Sequence, residues 1–166
     1  MSGGMVKREM KYSGRRMEGV RELFRKEGIK LTHQRLEVLN EISKADDHPS
    51  AEELYRRIRE RLPTISLDTI YRTLGTLERL GLISRVEVLD NESRFDPNTG
   101  VHHHLVCVLC KRVEDFSWPS FDRMKAPGEV EGWGRTMSSH VELRGICNAC
   151  VREGAAKRGR SSGKKH

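Results

Sequence analysis

The sequence is short of aromatics, short of cysteines and without any long apolar run, and each shortage narrows what the chain can be. Aromatic residues make up 5% of 166 positions and hydrophobic residues 36%, against 33% charged. Two modest cores are therefore expected in place of one large one. No apolar stretch approaches the roughly 18 residues of a membrane span. The opening MSGGMVKREMKYSGRR carries charge where a secretory signal would carry an apolar centre. A membrane or secreted protein is disfavoured, and the cytoplasm is the expected compartment. There is no phosphate-binding glycine loop, no convincing nucleophile and no internal repeat. There are only four cysteines, and all fall in two CxxC pairs, Cys107/Cys110 and Cys147/Cys150. In a reducing compartment that spacing points to metal before disulfides.

Charge is plentiful but unevenly placed. The net charge is +7, yet residues 1–16 hold five Lys/Arg against Glu9, and residues 152–166 hold six against Glu153. Two basic tails, expected to be irregular, flank a slightly acidic centre. Such tails suit non-specific attraction to nucleic acid, or serve only solubility.

Between the tails the pattern changes once. A first helix is expected over 17–27, with Val20, Leu23 and Phe24 on one side and Gly28 as its C-terminal cap. Thr32 caps a second helix bearing Leu36, Leu39 and Ile42. Ser50 and Glu53 form a capping box for a third, with Leu54, Tyr55, Ile58 and Leu62, stopped by Pro63. Ser66 caps a fourth, whose stripe is Leu67, Ile70, Leu74 and Leu77 and whose end is Gly81; Asp68, Thr69, Arg72, Thr73 and Thr76 should be exposed. Leu82–Leu89 and Ser93–Phe95 read as a hairpin about Asp90–Asn91. Helices followed by a two-stranded hairpin is the order of a winged helix-turn-helix. Beyond a hinge at 96–101, the segments 102–107, 111–116 and 141–147 are strand-like, with at most one short helix near 119–126. The expected class is α+β: a basic tail (1–16), a winged-helix domain (17–95), the hinge, a metal-binding domain (102–151) and a second basic tail (152–166).

Two CxxC turns can aim four thiolates at one ion, and tetrahedral four-thiolate coordination is what Zn2+ takes in structural sites. Between the pairs lie 36 residues, so the second must return to the first by strand pairing. Such a site is closed and would act in folding. Two redox CxxC pairs or core cysteines are the alternatives. Three consecutive histidines, His102, His103 and His104, precede Cys107. On a strand the outer two share a face about 7 Å apart and can share a metal; a polar surface strand would look the same. Asp96, Asp115 and His48 lie at places from which they could join. Imidazoles with carboxylates suit Fe2+ or Mn2+, with zinc as a competitor. If His48 joined His102 and His104, the ion would tie the helical domain to the metal domain and set the angle on which DNA fit depends.

On the fourth helix, Arg72 can reach guanine O6/N7 in a major groove and Tyr71 can meet thymine methyls, while Thr69, Thr73 and Thr76 could touch phosphates or bases. A metallohydrolase, whose histidine/aspartate site activates water, is the rival class, and a zinc-ribbon adaptor that binds no DNA is another.

These residues together resemble the ferric uptake regulator family. The resemblance rests on SerArgPheAsp at 93–96, HisxHisxxCysxxCys at 102–110, Asp115, the second CxxC, HisPro at 48–49, LysLeuThrHisGlnArg at 30–35 and SerLeuAspThrIleTyrArgThrLeu at 66–74. It runs from about residue 17 to 151 and implies a homodimer with a small αβ dimerisation domain, binding a palindromic site in double-stranded DNA. It implies structural zinc at Cys107, Cys110, Cys147 and Cys150, and a regulatory metal at His48, Asp96, His102, His104 and Asp115. Tyr71 and Arg72 match recognition-helix contacts, and Lys30 matches a phosphate-side or minor-groove lysine. Val101, His103 and Ser139 depart from the pattern of a further metal site. Three histidines with two aspartates resemble the family's peroxide-sensing branch, in which bound Fe2+ reacts with hydrogen peroxide and a ligand histidine is oxidised; His48 and His102 are the targets by position. Iron-responsive repression, or zinc or manganese sensing, is the alternative.

Overall fold

Each of the first four helices is delimited by residues the sequence supplies at its ends. The computed structural model describes residues 14–88, 92–130, 132–136 and 138–161, and the side chains of those between 17 and 154. The chain divides into two compact units that part between Thr99 and Gly100.

The first unit contains α1 (Gly14–Lys26), α2 (His33–Lys44), α3 (Ala51–Arg59), α4 (Leu67–Arg79) and the antiparallel pair β1 (Ser84–Glu87) and β2 (Ser93–Asp96). Thr32, Ser50 and Ser66 each accept a hydrogen bond from the backbone N–H three residues on, which satisfies a donor that the first turn leaves without a partner. At Ser50 the box is complete, because Glu53 returns a bond to the Ser50 N–H. Gly28 and Gly81 end α1 and α4 with φ of 65° and 67°, a conformation that costs glycine little. Val20 and Phe24 of α1, Val38, Leu39 and Ile42 of α2, Leu54 and Ile58 of α3, and Ile70, Leu74 and Leu77 of α4 close on one another with Ile83 and Phe95. The core holds α3 against α4 and α2 against both.

The second unit contains β3 (His103–Cys107), β4 (Val113–Phe116), the short α5 (Pro119–Asp122), a 3-10 turn at Gly128–Val130, β5 (Glu142–Gly145) and α6 (Asn148–Ser161). Its sheet runs β4-β3-β5, with β4 antiparallel and β5 parallel to β3. The parallel register sets Cys107 opposite Gly145, which carries Cys147 back to the first CxxC turn. Among the described residues no helix is long and apolar enough to cross a membrane.

Several sequence expectations need correction, among them Thr69 and Thr76, which are half-buried where exposure was expected. Thr73 is 1% exposed, not on the open face; it sits at the edge of the α4 stripe and donates its hydroxyl to the Thr69 carbonyl at 2.7 Å, so its burial strands no polar group. On α2 it is Val38, rather than Leu36, that is fully buried with Leu39 and Ile42, Leu36 being half-buried. Finally, α6 continues to Ser161, through a stretch expected to be irregular; alanine, arginine and lysine are good helix formers, and charge alone does not stop them. Of the expected tail at 1–16, residues 14–16 instead open α1, while 1–13 and the turn at Asp90–Asn91 lie outside the described residues.

Candidate metal centres and nucleic-acid interface

The two CxxC pairs converge. The four Sγ atoms lie within 4.8 Å of one another. Cys107 is 3.9 Å from Cys150, and Cys110 is 3.7 Å from Cys147, far beyond a bonded S–S distance. The first pair sits on the turn between β3 and β4, the second where β5 passes into α6. Backbone amides prepare two of the sulfurs for the thiolate form. The Cys110 and Cys147 N–H groups pull the Cys107 pKa down to about 6, and the Cys150 N–H lowers that of Cys147. Cys150, hydrogen-bonded to the sulfurs of Cys147 and Cys110, is pushed up to about 12. Four sulfurs around one point, two of them already favoured as anions, match the donor set of structural Zn2+.

A second convergence lies at the start of β3. The His102 Nδ1 is 2.7 Å from the Gly100 carbonyl oxygen. A carbonyl only accepts, so Nδ1 carries the proton and the neutral ring keeps its lone pair on Nε2. That nitrogen is 2.9 Å from the Nε2 of His104. Asp115 Oδ1 lies 3.9 Å from the first and 3.8 Å from the second. The sheet register explains the carboxylate, since His104 and Asp115 are direct partners across β3 and β4. His103 faces the other way, as strand alternation requires. It is fully buried against Phe116, Phe121 and Trp118. Its Nδ1 accepts from the Val141 N–H at 3.1 Å, and its Nε2 lies 3.1 Å from Asp122 Oδ1.

In the first unit His48 and Asp96 form a pair of their own. Both are buried, with Nε2 and Oδ1 3.7 Å apart. The five residues expected to bind one regulatory ion thus fall into two groups, His48 with Asp96 in the first unit and His102, His104 and Asp115 in the second. Each group is imidazole with aspartate, donors that suit Fe2+ or Mn2+ and also accept zinc.

The exposed residues of α4 include Asp68, Tyr71 and Arg72. Tyr71 is 49% exposed, and its hydroxyl donates to Glu52 of α3. That bond lowers the pKa of Glu52 and raises that of the phenol. Arg72 is paired with Asp68 one turn back at 2.9 Å. Thr69 is half-buried and shares a hydrogen bond with Ser66. Lys30 is exposed in the turn between α1 and α2, its carbonyl accepting from Arg35. Sequence reading missed Glu52, because nothing in a linear string relates it to a tyrosine nineteen residues on; the spacing of α3 against α4 is what brings them together.

The sequence model of the ferric uptake regulator family matches residues 26–142. The peroxide-responsive repressor PerR of Staphylococcus epidermidis is 31% identical over 131 residues, covering 79% of this chain and 87% of that protein. Among solved structures, the ferric uptake regulator of Helicobacter pylori superposes with a TM-score of 0.70 at 26% identity, covering 81% of this chain and 91% of its own. The Vibrio cholerae ferric uptake regulator gives 0.64 at 28%, covering 77% and 99%. On these matches the chain belongs to the ferric uptake regulator family as a metal-responsive repressor.

Proposed function

We propose that this repressor holds operator DNA as a homodimer while a regulatory metal is bound, and releases it when hydrogen peroxide oxidises a ligand histidine. The observation that carries the reading is the pairing of imidazole with aspartate on both sides of the 99/100 boundary, His48 with Asp96 and His102 and His104 with Asp115. These five residues would hold one Fe2+ or Mn2+, while Cys107, Cys110, Cys147 and Cys150 would hold Zn2+ in a closed site that serves folding. Fe2+ held there would supply one-electron chemistry toward peroxide. His102 contributes a ring already fixed by the Gly100 carbonyl, with its Nε2 lone pair turned to the site. His48 contributes a buried ring beside Asp96. Oxidation of either imidazole adds one oxygen to the ring and releases one water from the peroxide. The product is a poorer donor, so the ion is lost and with it the DNA-binding state. Likeness to a peroxide-responsive repressor over most of both chains supports this branch.

In the DNA complex Arg72 and Tyr71 would read base edges in the major groove, Thr69 would approach the backbone, and Lys30 would reach a phosphate or the minor groove. Two-fold symmetry in the protein asks for a palindromic operator. Exposed Leu105, Leu143 and Ile146, on and beside the edge strand β5, support a second copy as the cover for that surface. A regulator of this kind would work in the cytoplasm. Iron-responsive repression is the second reading, favoured by the close superposition on the Helicobacter pylori ferric uptake regulator.

The deciding experiment loads the protein with zinc and Fe2+, adds stoichiometric hydrogen peroxide anaerobically, and measures intact mass, modified residue and DNA retention. One added oxygen on His48 or His102 with release of DNA is expected, and a Mn2+-loaded sample should stay bound. An unmodified protein that still follows iron concentration would select the iron-responsive reading.

A further inference from the structure

His48 sits where histidine seldom does. Its φ is +48°, in the left-handed region that side chains other than glycine's mostly avoid. It is also buried, so something must hold it there. The segment that carries it is tied at three successive points to β2. The Phe95 N–H donates to the Pro49 carbonyl at 3.1 Å. Asp96 faces His48 at 3.7 Å. Arg94 donates from Nη1 to Glu53 Oε2 at 2.5 Å.

Glu53 Oε2 is the same oxygen that accepts the Ser50 N–H at 2.8 Å in the capping box of α3. Arg94 therefore grips the first turn of α3, two residues beyond Pro49, from the strand that carries Asp96. Residues 94 and 96 share one face of β2, while Phe95 turns into the core. On the other flank, Arg57 of α3 holds Asp47 through both carboxylate oxygens, at 3.3 and 2.5 Å. The histidine is thus flanked by two guanidinium contacts. One of them, from Arg94, is largely shielded from solvent, with its side chain 14% exposed.

We infer that Arg94 is a positioning residue for divalent-cation binding at His48 and Asp96: through Glu53 it fixes the start of α3 against β2 and so holds the His48 ring beside the Asp96 carboxylate before any ion arrives. The inference rests on the proposed regulatory site. Without Arg94, Glu53 keeps only its cap, the start of α3 loses its tie to β2, and His48 is free to relax out of the left-handed region. The ion would then have to organise its own ligands, and affinity would fall by about 10- to 100-fold, as is usual when a ligand's support is removed. Arg94 reaches Glu53 through one nitrogen, and its Nε has no hydrogen-bond partner among the described residues. A lysine can supply that single charged donor.

The test titrates full-length, zinc-loaded protein with Mn2+ and follows the free-ion signal by electron paramagnetic resonance, well below the melting transition. Wild type, Arg94→Ala, Arg94→Lys and Glu53→Gln are compared, with zinc content and melting temperature measured in parallel. The expected result is one zinc per chain throughout, Mn2+ binding weakened about 10- to 100-fold in Arg94→Ala, weakened less in Glu53→Gln, and largely restored in Arg94→Lys. A melting temperature that drops while Mn2+ affinity stays at the wild-type value would overturn the inference and leave Arg94 a stability residue only. Should Arg94→Ala fail to fold, wild-type affinity in Glu53→Gln overturns it equally. A wild-type protein that takes up no Mn2+ beside its zinc would instead overturn the regulatory site itself.

Discussion

Replacing Arg72 by alanine separates a residue that reads DNA from one that merely decorates a helix. In the free protein its guanidinium is paired with Asp68, but the two side chains are 78% and 68% exposed. An exposed pair one helical turn apart contributes about 0.3–0.5 kcal/mol, and alanine returns part of that through better helix propensity. Folding stability should therefore change by less than about 0.5 kcal/mol. A bidentate arginine–guanine contact discriminates by about 1–3 kcal/mol, or roughly 5- to 150-fold in affinity. Giving up Asp68 on binding offsets at most about 0.5 kcal/mol of this, too little to hide it. The assay is fluorescence anisotropy of metal-loaded protein on a selected operator and on every single-base-pair variant of it, at one fixed salt concentration. Arg72→Ala should flatten the penalty at one symmetric pair of positions and leave the rest of the profile intact. A uniform loss across all variants would refute base reading and make Arg72 a phosphate contact. A fall in folding stability above about 1 kcal/mol would refute the claim that the Asp68 pair is dispensable.

Three further outcomes are expected. Cys147→Ser should abolish the tightly held zinc and melt the β3–β5 sheet while the helices of the first unit persist by circular dichroism, because structural zinc contributes about 10–16 kcal/mol against a typical domain stability of about 5–15 kcal/mol; a folded, zinc-free second unit would contradict it. Ser50→Ala should cost about 1 kcal/mol and lower the melting temperature by roughly 4–8 °C, since the Glu53 N–H loses its acceptor; an unchanged transition would mean that the cap is redundant. Tyr71→Phe should remove a stabilisation confined to a pH window. Glu52 is depressed in the folded state, so its share is present above the unfolded carboxylate pKa of about 4.3 and fades as pH falls through the lowered value; Tyr71 is raised, so its share is present below about 10 and fades as pH rises through the higher value. Denaturation midpoints of the two proteins should differ at neutral pH and merge at both extremes, and a constant offset would show that the bond does not carry the difference.

How far the sequence could be read depended on whether the relevant physics was local. Thr32, Ser50, Ser66, Gly28 and Gly81 announce helix ends because a cap is satisfied within three or four residues, and all five act as read. The alternation that sends His102 and His104 to one face and His103 to the other is equally local. Thr73 looks suited to the surface because a hydroxyl is polar in a string, whereas on the helix it is silenced by the Thr69 carbonyl. In the run from 152 to 161 charge is the conspicuous feature of the string, but helix propensity decides the backbone. Spacing alone demanded that Cys147 return to Cys107, but not that β5 run parallel to β3. The Arg94–Glu53 and Tyr71–Glu52 contacts were out of reach, since each joins elements whose packing only the folded chain decides.

The parallel seating of β5 beside β3 also sets an order of events during synthesis. The first unit's core is complete once Phe95 has been made, so its helices can close while the remainder is still being translated. The second unit has no such early option. Its central strand lacks one neighbour until residue 145 has been added, and its sulfur cluster lacks half its donors until Cys147 and Cys150 arrive. A chain interrupted between those points would join a finished first unit to an unfinished sheet, whose unpaired strand edge invites aggregation and whose unfolded segment is open to proteases. The late cysteines would therefore act as a completion signal, since a chain that stops short of residue 150 lacks part of the sulfur set of the proposed zinc site.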